Sequence, residues 1–338
     1  MADVTLRDVA RASGCSVATV SRVLAGNRPV GAETARTVRQ AAERLGYRPN
    51  HVARALRSRS TGIVGLVLPQ ITNPFFPSLV RELEHALHAE GRAVLLADCD
   101  DDPKTEAARI GELLDRRVDA LLLIPADERR SREAVLGAAA QVPVVLLDRG
   151  CGPGAADSVA VDNTAGMALV LDHLAATGRR RPCFVGAAGT ASAAVERRAA
   201  YEAGAAALDP AAPERTLLGD FSAAWGRAAV DRIWPSRPDA VVCANDLIAA
   251  GALQRLRQLG ADVPGEVAVT GFDDIPLAGL ADPALTTVRQ PLAELAAEAA
   301  RLLVRRPAGA AVPGPRQPVR SVRLAPELVV RASSGRPS

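Results

Sequence analysis

The sequence predicts a small all-α headpiece and hinge helix joined to a larger two-lobed α/β domain with parallel sheets. Three observations carry this. Two short helical patterns around Gly14 are spaced as a helix-turn-helix. From Gly62 onward, near-continuous apolar runs alternate with amphipathic stretches, the pattern of a parallel sheet covered by helices. Charge divides at the same place: residues 1–60 hold eleven Arg against four acids, whereas the whole chain is only +3, so the remainder sums to −4. A basic head on a mildly acidic body suits a phosphate-binding module joined to a ligand-binding one.

In order, Leu6 to Ala12 is the first helix, with Thr5 as cap and Asp8 three residues on. Gly14 turns the chain, and Ser16 caps a second helix whose apolar positions are Val17, Val20 and Leu24. A second helix so placed fits a DNA major groove. Ala25-Gly26-Asn27-Arg28-Pro29 ends it. Ala32 to Leu45 is a third helix, with Val38, Ala41, Ala42 and Leu45 inward. Asn50 to Leu56 (NHVARAL) is a short helical segment, and Ser58 to Gly62 a polar linker.

The body opens with the apolar strand GIVGLVLP. The helix Pro77–Glu90, strand Ala93–Ala97, helix Lys104–Arg116 and strand Ala120–Ile124 follow. The helix Ser131–Ala140 and strand Val142–Leu147 complete the first series. A second β-α series starts near Val159 and ends with a helix Leu292–Arg305 and an extended stretch Val319–Val330. Two similar lobes with a ligand cleft beyond the strand ends follow from this repetition.

Composition limits the function classes. No run is long and apolar enough for a membrane span or a signal segment, so a cytoplasmic chain is expected. Five scattered cysteines form no CxxC and read as reduced structural thiols. There is no GxSxG, HExxH or Walker loop, and His85 and His88 lack an evident third ligand. Neither catalysis nor a cofactor or metal is expected. A secreted solute-binding protein is the other rival, but the basic head argues against it.

The stretches TLRDVARASGCSVATVSRVL, RLGYRPN, GLVLPQITNPFF, VVLLDR, CANDLIAAGAL, VPGEVAVTGFDD and PALTTVRQP together resemble the LacI/GalR family of bacterial transcription regulators. The lobes resemble periplasmic sugar-binding proteins. The resemblance implies a homodimer that binds a near-palindromic DNA operator, most commonly as a repressor, under control of a small carbohydrate effector. It implies a headpiece 1–46, a hinge 47–61, an effector domain 62–331 and a tail 332–338. The N-lobe would be 62–159 plus 289–318, and the C-lobe 160–288 plus 319–331.

It also assigns residues. Val17, Ala18 and Arg22 would read bases, Arg22 by two hydrogen bonds to guanine; simple helix core is the alternative for Val17 and Ala18. Thr5, Ser16, Thr19, Ser21, Thr34 and Tyr47 would hold phosphates. Asn50, Ala53 and Leu56 would form a minor-groove hinge, Leu56 wedging the central base step. Gln70, Thr72, Phe75, Asp148, Arg149, Arg197, Phe221, Asn245 and Asp273 would line the cleft. Asp246 reads either as a helix cap or as a ligand group, and Asp274 as structural or ligating. Two departures stand out: Ala200-Tyr201 replaces a Gly-aromatic pair, and AAGTASAAV is unusually small and apolar.

Overall fold

The computed structural model describes residues 4–25, 30–47, 60–304 and 318–335. The chain divides into two compact units, 1–61 and 62–338.

The first unit has three helices: α1 (Leu6–Ser13), α2 (Val17–Ala25) and α3 (Ala32–Arg44). Val9, Val20 and Val38, one from each, are fully buried and meet Ala10, Val23, Ala41 and Ala42. Thr5 begins α1. The Asp8 carboxylate accepts both its amide (3.0 Å) and its hydroxyl (2.6 Å). Gly14 ends α1 at φ +65°, a left-handed conformation that glycine adopts without a Cβ clash. Ser16 Oγ accepts the Thr19 amide at 3.1 Å, so Ser16 caps α2. Gly31 starts α3 without a side-chain cap. The inward positions of α2 are Val20 and Val23 with Leu24 packed beside them, whereas Val17 faces outward at 42% exposure. Val17 is the first residue of α2, at the edge of their face, and stays outside the core. The expected hinge Asn50–Leu56 and the turn residues 26–29 lie outside the described residues.

The second unit contains two six-stranded sheets, each flanked by helices. The first is built from β1 (Ile63–Leu68), α4 (Phe75–Ala89), β2 (Ala93–Asp98), α5 (Pro103–Asp115), β3 (Ala120–Leu123), α6 (Arg132–Ala139), β4 (Val144–Leu147) and β5 (Asp157–Val161). The second follows with α7 (Asn163–Ala176), β6 (Pro182–Ala187), α8 (Ser192–Ala205), β7 (Thr216–Gly219), α9 (Ala223–Ile233) and β8 (Ala240–Cys243). It continues through α10 (Asp246–Gln258), β9 (Ala268–Asp273), α11 (Pro276–Leu280) and β10 (Thr286–Arg289). Then α12 (Leu292–Val304) and β11 (Ser321–Leu324) return to the first lobe, and β12 (Glu327–Val329) to the second.

The strand orders are β2-β1-β3-β4-β5-β11 and β7-β6-β8-β9-β10-β12. All pairings are parallel except β12 on β10. Strands β3, β4, β6 and β8 are buried along their whole length, which is why they read as unbroken apolar runs. The two orders are the same, so each lobe reverses direction beside its first strand. A ligand crevice opens at such a reversal, beyond the carboxyl ends of the strands.

The structure redraws the expected lobe boundaries. Strand β5 carries the first lobe to Val161, past the expected 159, and 321–324, expected in the second lobe, pair parallel with β5. The chain therefore crosses between lobes after Val161, after Arg289 and after Leu324. Strand β10, α11 and the split of the final stretch into β11 and β12 were not read from the sequence. Residues 332–335, expected as a tail, are tied into the second lobe: Ser333 is fully buried, donates to the Val269 carbonyl (2.6 Å) and accepts the Thr286 amide (2.8 Å). No helix among the described residues is long and apolar enough to cross a membrane. All five cysteines are free, four of them buried, and burial pushes the Cys99 thiol up to about 12.

Candidate DNA-reading helix and effector cleft

On α2, Val17 and Ser21 stand one turn apart, as do Ala18 and Arg22. Val17, Ala18 and Arg22 are exposed and Ser21 is half-buried. Outward valine resolves its double reading in favour of surface: Val17 is absent from the headpiece core. The expected phosphate groups are variously engaged. The Thr5 hydroxyl proton goes to Asp8 and must leave it before Thr5 can donate to a phosphate. Ser16 and Thr19 hydroxyls pair at 2.9 Å. Thr34 is half-buried, and Tyr47 packs partly on the core with its amide on the Ala42 carbonyl at 2.9 Å.

In the larger unit, the ends of β1, β4, β6, β7, β8 and β9 converge on one cleft. Asp148 and Arg149 leave β4, and Asp148 takes φ +62°; Asp273 ends β9 at φ +109°. Both are sparsely populated conformations for a side-chain-bearing residue, of the kind found where neighbouring structure over-determines a site. Asn245 follows β8, Arg197 lies on α8, and Phe221 follows β7. With Asn73, Phe75 and Phe76 from the β1–α4 turn and Ala193, these residues line the inner cleft. The outer cleft shares Asn73, Phe76, Arg149 and Phe221 and adds Pro69, Gln70, Asp101, Asp220 and Ser222. Of the expected cleft residues, Thr72 is exposed and lines neither part.

Arg197 is the most constrained. Its Nε donates to Asn163 Oδ1 (2.8 Å), Nη1 to the Ala244 carbonyl (2.8 Å) and to Asp273 Oδ1 (3.2 Å). Its guanidinium stacks 3.7 Å from the Phe272 ring centre. Those bonds leave the Nη2 protons for a ligand. Gln290, at the second crossing, donates to the same Asp273 oxygen at 2.8 Å. Burial pushes Asp273 up to about 6 despite Arg197 beside it, and burial likewise raises Asp148. Asp148 Oδ1 and Gln290 Oε1 are buried acceptors with no hydrogen-bond partner among the described residues, and each can accept from a water or a ligand hydroxyl.

Two residues with two readings are resolved. Asn245 Oδ1 accepts the Ile248 amide (2.9 Å), so Asn245 and not Asp246 caps α10, leaving its amide NH₂ for a ligand. Asp246 instead accepts from Ile275 N–H (2.8 Å) and the Thr287 hydroxyl (2.5 Å), bracing the β9–α11 turn. Asp274 pairs with Arg289 (2.7 Å) and Arg331 (2.6 Å) and is structural.

Contacts between the lobes border the cleft. The Gly150 amide donates to Ser192 Oγ (2.8 Å), the Glu128 amide to the Thr190 carbonyl (3.0 Å), and the Thr190 hydroxyl to Asp127. The small, apolar AAGTASAAV stretch is this contact strip; Ala191 and Ala193 are buried in it. At the crossings, Arg323 of β11 pairs bidentately with Glu196 of α8 (2.7 and 2.9 Å). Glu196 also accepts from Asn163 at 2.7 Å, which in turn receives Arg197. Asn73, Phe76, Asp101, Asp220, Ser222 and Gln290 were missed. Phe76 opens α4 and the others sit in strand-end loops, which the topology rule identifies as a class without naming members.

A helix-turn-helix unit with an outward recognition face, joined to a two-lobed domain with a polar cleft, defines a ligand-responsive DNA-binding regulator of transcription. Residues 5–50 match the family described as "Bacterial regulatory proteins, lacI family", and 171–334 match a periplasmic binding protein-like domain. The chain is 35% identical to the transcriptional regulator MalR of Streptomyces coelicolor, over 97% of this chain and 96% of that one. It is 30% identical to the repressor PurR of Aliivibrio fischeri, over 97% and 98%. Among solved structures it resembles the Lac repressor bound to ONPG in the repressed state (TM-score 0.84, 25% identity, 98% and 100% covered). It also resembles a CelR–cellobiose complex (TM-score 0.69, 32% identity, 98% and 99% covered). The chain belongs to the LacI family of bacterial regulatory proteins.

Proposed function

We propose that this regulator is a cytoplasmic homodimeric repressor that binds a near-palindromic operator and is controlled by a sugar or sugar derivative in its interlobe cleft. The observation that carries the effector assignment is the pair of unpartnered buried acceptors, Asp148 Oδ1 and Gln290 Oε1, beside the free donors of Arg197 and Asn245. Vicinal hydroxyls both donate and accept, and Phe75, Phe76 and Phe221 supply apolar faces for a sugar ring. The cellobiose held by the 32%-identical CelR supports the same class. Val17, Ala18 and Arg22 read bases, and Thr5, Ser16, Thr19, Ser21, Thr34 and Tyr47 hold phosphates. Asn50, Ala53 and Leu56 form the minor-groove hinge, within a headpiece of 1–46 and a hinge of 47–61. Catalysis has no part in this reading, in keeping with the regulatory roles of the relatives.

Ligand acts by preferring one lobe arrangement, since only differential affinity shifts an equilibrium. DNase footprinting on DNA upstream of its own gene and its neighbours tests the proposal. A protected palindrome, hypersensitive at its centre and released by one sugar of a panel, is the expected result. A palindrome insensitive to every sugar overturns the effector assignment and leaves the DNA assignment standing.

A further inference from the structure

The inner cleft, lined by Asp148 with its unpartnered Oδ1, has a free volume of only about 20 Å³. That is room for a single water and not for a sugar ring. The outer cleft opens to about 190 Å³. Arg149 lines both parts. Its side chain is 6% exposed, unusual for an arginine at a cleft mouth. Its guanidinium carbon lies 5.7 Å from the Phe76 ring centre and 5.8 Å from that of Phe221, one ring from each lobe. Nη1 donates to Asp101 Oδ1 at 2.9 Å and faces the Pro125 carbonyl at 3.5 Å. A flat cation held against aromatic faces, with a carboxylate and a carbonyl taking its protons, has the contacts a bound molecule would make.

We propose that Arg149 is a built-in occupant of the effector cleft: its guanidinium fills the throat between Phe76 and Phe221, and an effector binds by displacing it. This rests on the cleft being the effector site. It also sets the effector's chemistry. Whatever replaces the guanidinium must cover the two phenyl faces with a flat or C–H-rich surface and offer donors to Asp101. A compact anion such as a phosphate meets the carboxylates Asp101 and Asp220 in the outer cleft and is disfavoured. Because Phe221 belongs to the second lobe, ejecting Arg149 also removes a contact that holds the lobes together, so occupancy is coupled to lobe position.

The test needs no effector. Hydrogen exchange is followed on the full ligand-free chain, as wild type, as Arg149→Ala and as Asp101→Asn. The expected result is exchange about tenfold faster at the backbone amides of residues 99–101 and 220–222 in both variants, with β3 and β8 unchanged. Millimolar guanidinium chloride, set against sodium chloride at the same concentration, should slow those amides again in Arg149→Ala alone. Unchanged exchange in both variants overturns the proposal. So does acceleration spread through both sheets, which would make Arg149 a general prop. Either outcome leaves the cleft's assignment as an effector site to the footprint, so the two readings fail separately.

Discussion

At the scale of single residues, Arg22 and Asp273 carry the sharpest consequences. Arg22 is exposed on α2 and forms no hydrogen bond or ion pair with the described residues, so Arg22→Ala should leave the headpiece folded. Operator affinity should fall by about 1–3 kcal/mol, and selectivity should relax at one base position per half-site. Gel-shift titration against the consensus and its single-base variants reads both, and equal affinity for the consensus would remove Arg22 from the groove. Asp273 is different, because its charge is buried. Its folded value, about 6, lies above the ordinary 3.8, so the native protein takes up a proton near pH 6 that the unfolded chain does not take up until about pH 4. The burial cost is therefore fully present above pH 6 and is relieved as pH falls. Lowering pH from 7 to 5 should stabilise the fold by about 1 kcal/mol through this group, and Asp273→Asn should abolish that part of the slope. Asp148 and Asp246, also raised by burial, slope the same way and remain in the variant. Urea midpoints at the two pH values measure the difference.

At the scale of elements, close helix packing separates two outwardly similar glycines. Helices α9 and α10 cross at Gly226 and Gly251. A Cβ on Gly251 would lie 2.0 Å from the Ala223 carbonyl oxygen, and one on Gly226 2.1 Å from that of Ile248. Both obstacles are backbone, so one helix must move. Gly251→Ala should cost about 1–3 kcal/mol, as overpacking does. Gly137 sits on the exposed face of α6 with nothing within 4 Å of its Cβ position. Gly137→Ala should instead stabilise by about 0.5–1 kcal/mol, through helix propensity alone. Opposite shifts in melting temperature check the pair. The elements themselves were largely legible: α7 and β8 fall at the expected residues, because Asp162 can cap the first and AVVC is a plain apolar run. Helix α4 starts two residues early, at Phe75, since Asn73 Oδ1 receives the Phe75 amide at 3.1 Å. Strand β10 escaped because TTVR is short and half polar; Thr286 and Thr287 are buried only because Ser333, Arg331 and Asp246 satisfy their hydroxyls and amides.

At the scale of the whole effector unit, contacts that join the lobes include the strip around Thr190 and Ser192 and the run Arg197–Asn163–Glu196–Arg323. The second connects a cleft residue to β11 in the other lobe through hydrogen bonds alone. Glu196 touches no ligand position. Glu196→Gln keeps the bond from Asn163 but weakens the pair with Arg323. Effector-free operator binding should hold, while the effector's ability to weaken it should fall by about 1 kcal/mol, roughly fivefold. Operator titrations with and without the sugar identified from the footprint give that difference, and an unchanged effector response would show that the coupling runs elsewhere.

The sequence by itself determined the two-part plan, the capped helix-turn-helix and the alternating strands and helices, while the cleft residues it named came through the family resemblance. The plan and its elements depend on local periodicity, capping and turn chemistry, which neighbours in the chain encode. Only the tertiary structure decided that Val17 faces out, that Asp246 and Asp274 brace turns, that β11 belongs to the first sheet, and that Arg149 fills the cleft. Each of those depends on which distant segment supplies a hydrogen-bond partner or a packing surface. Glu196 meets Arg323, and Arg149 meets Asp101 and Phe221, across separations that no local pattern records.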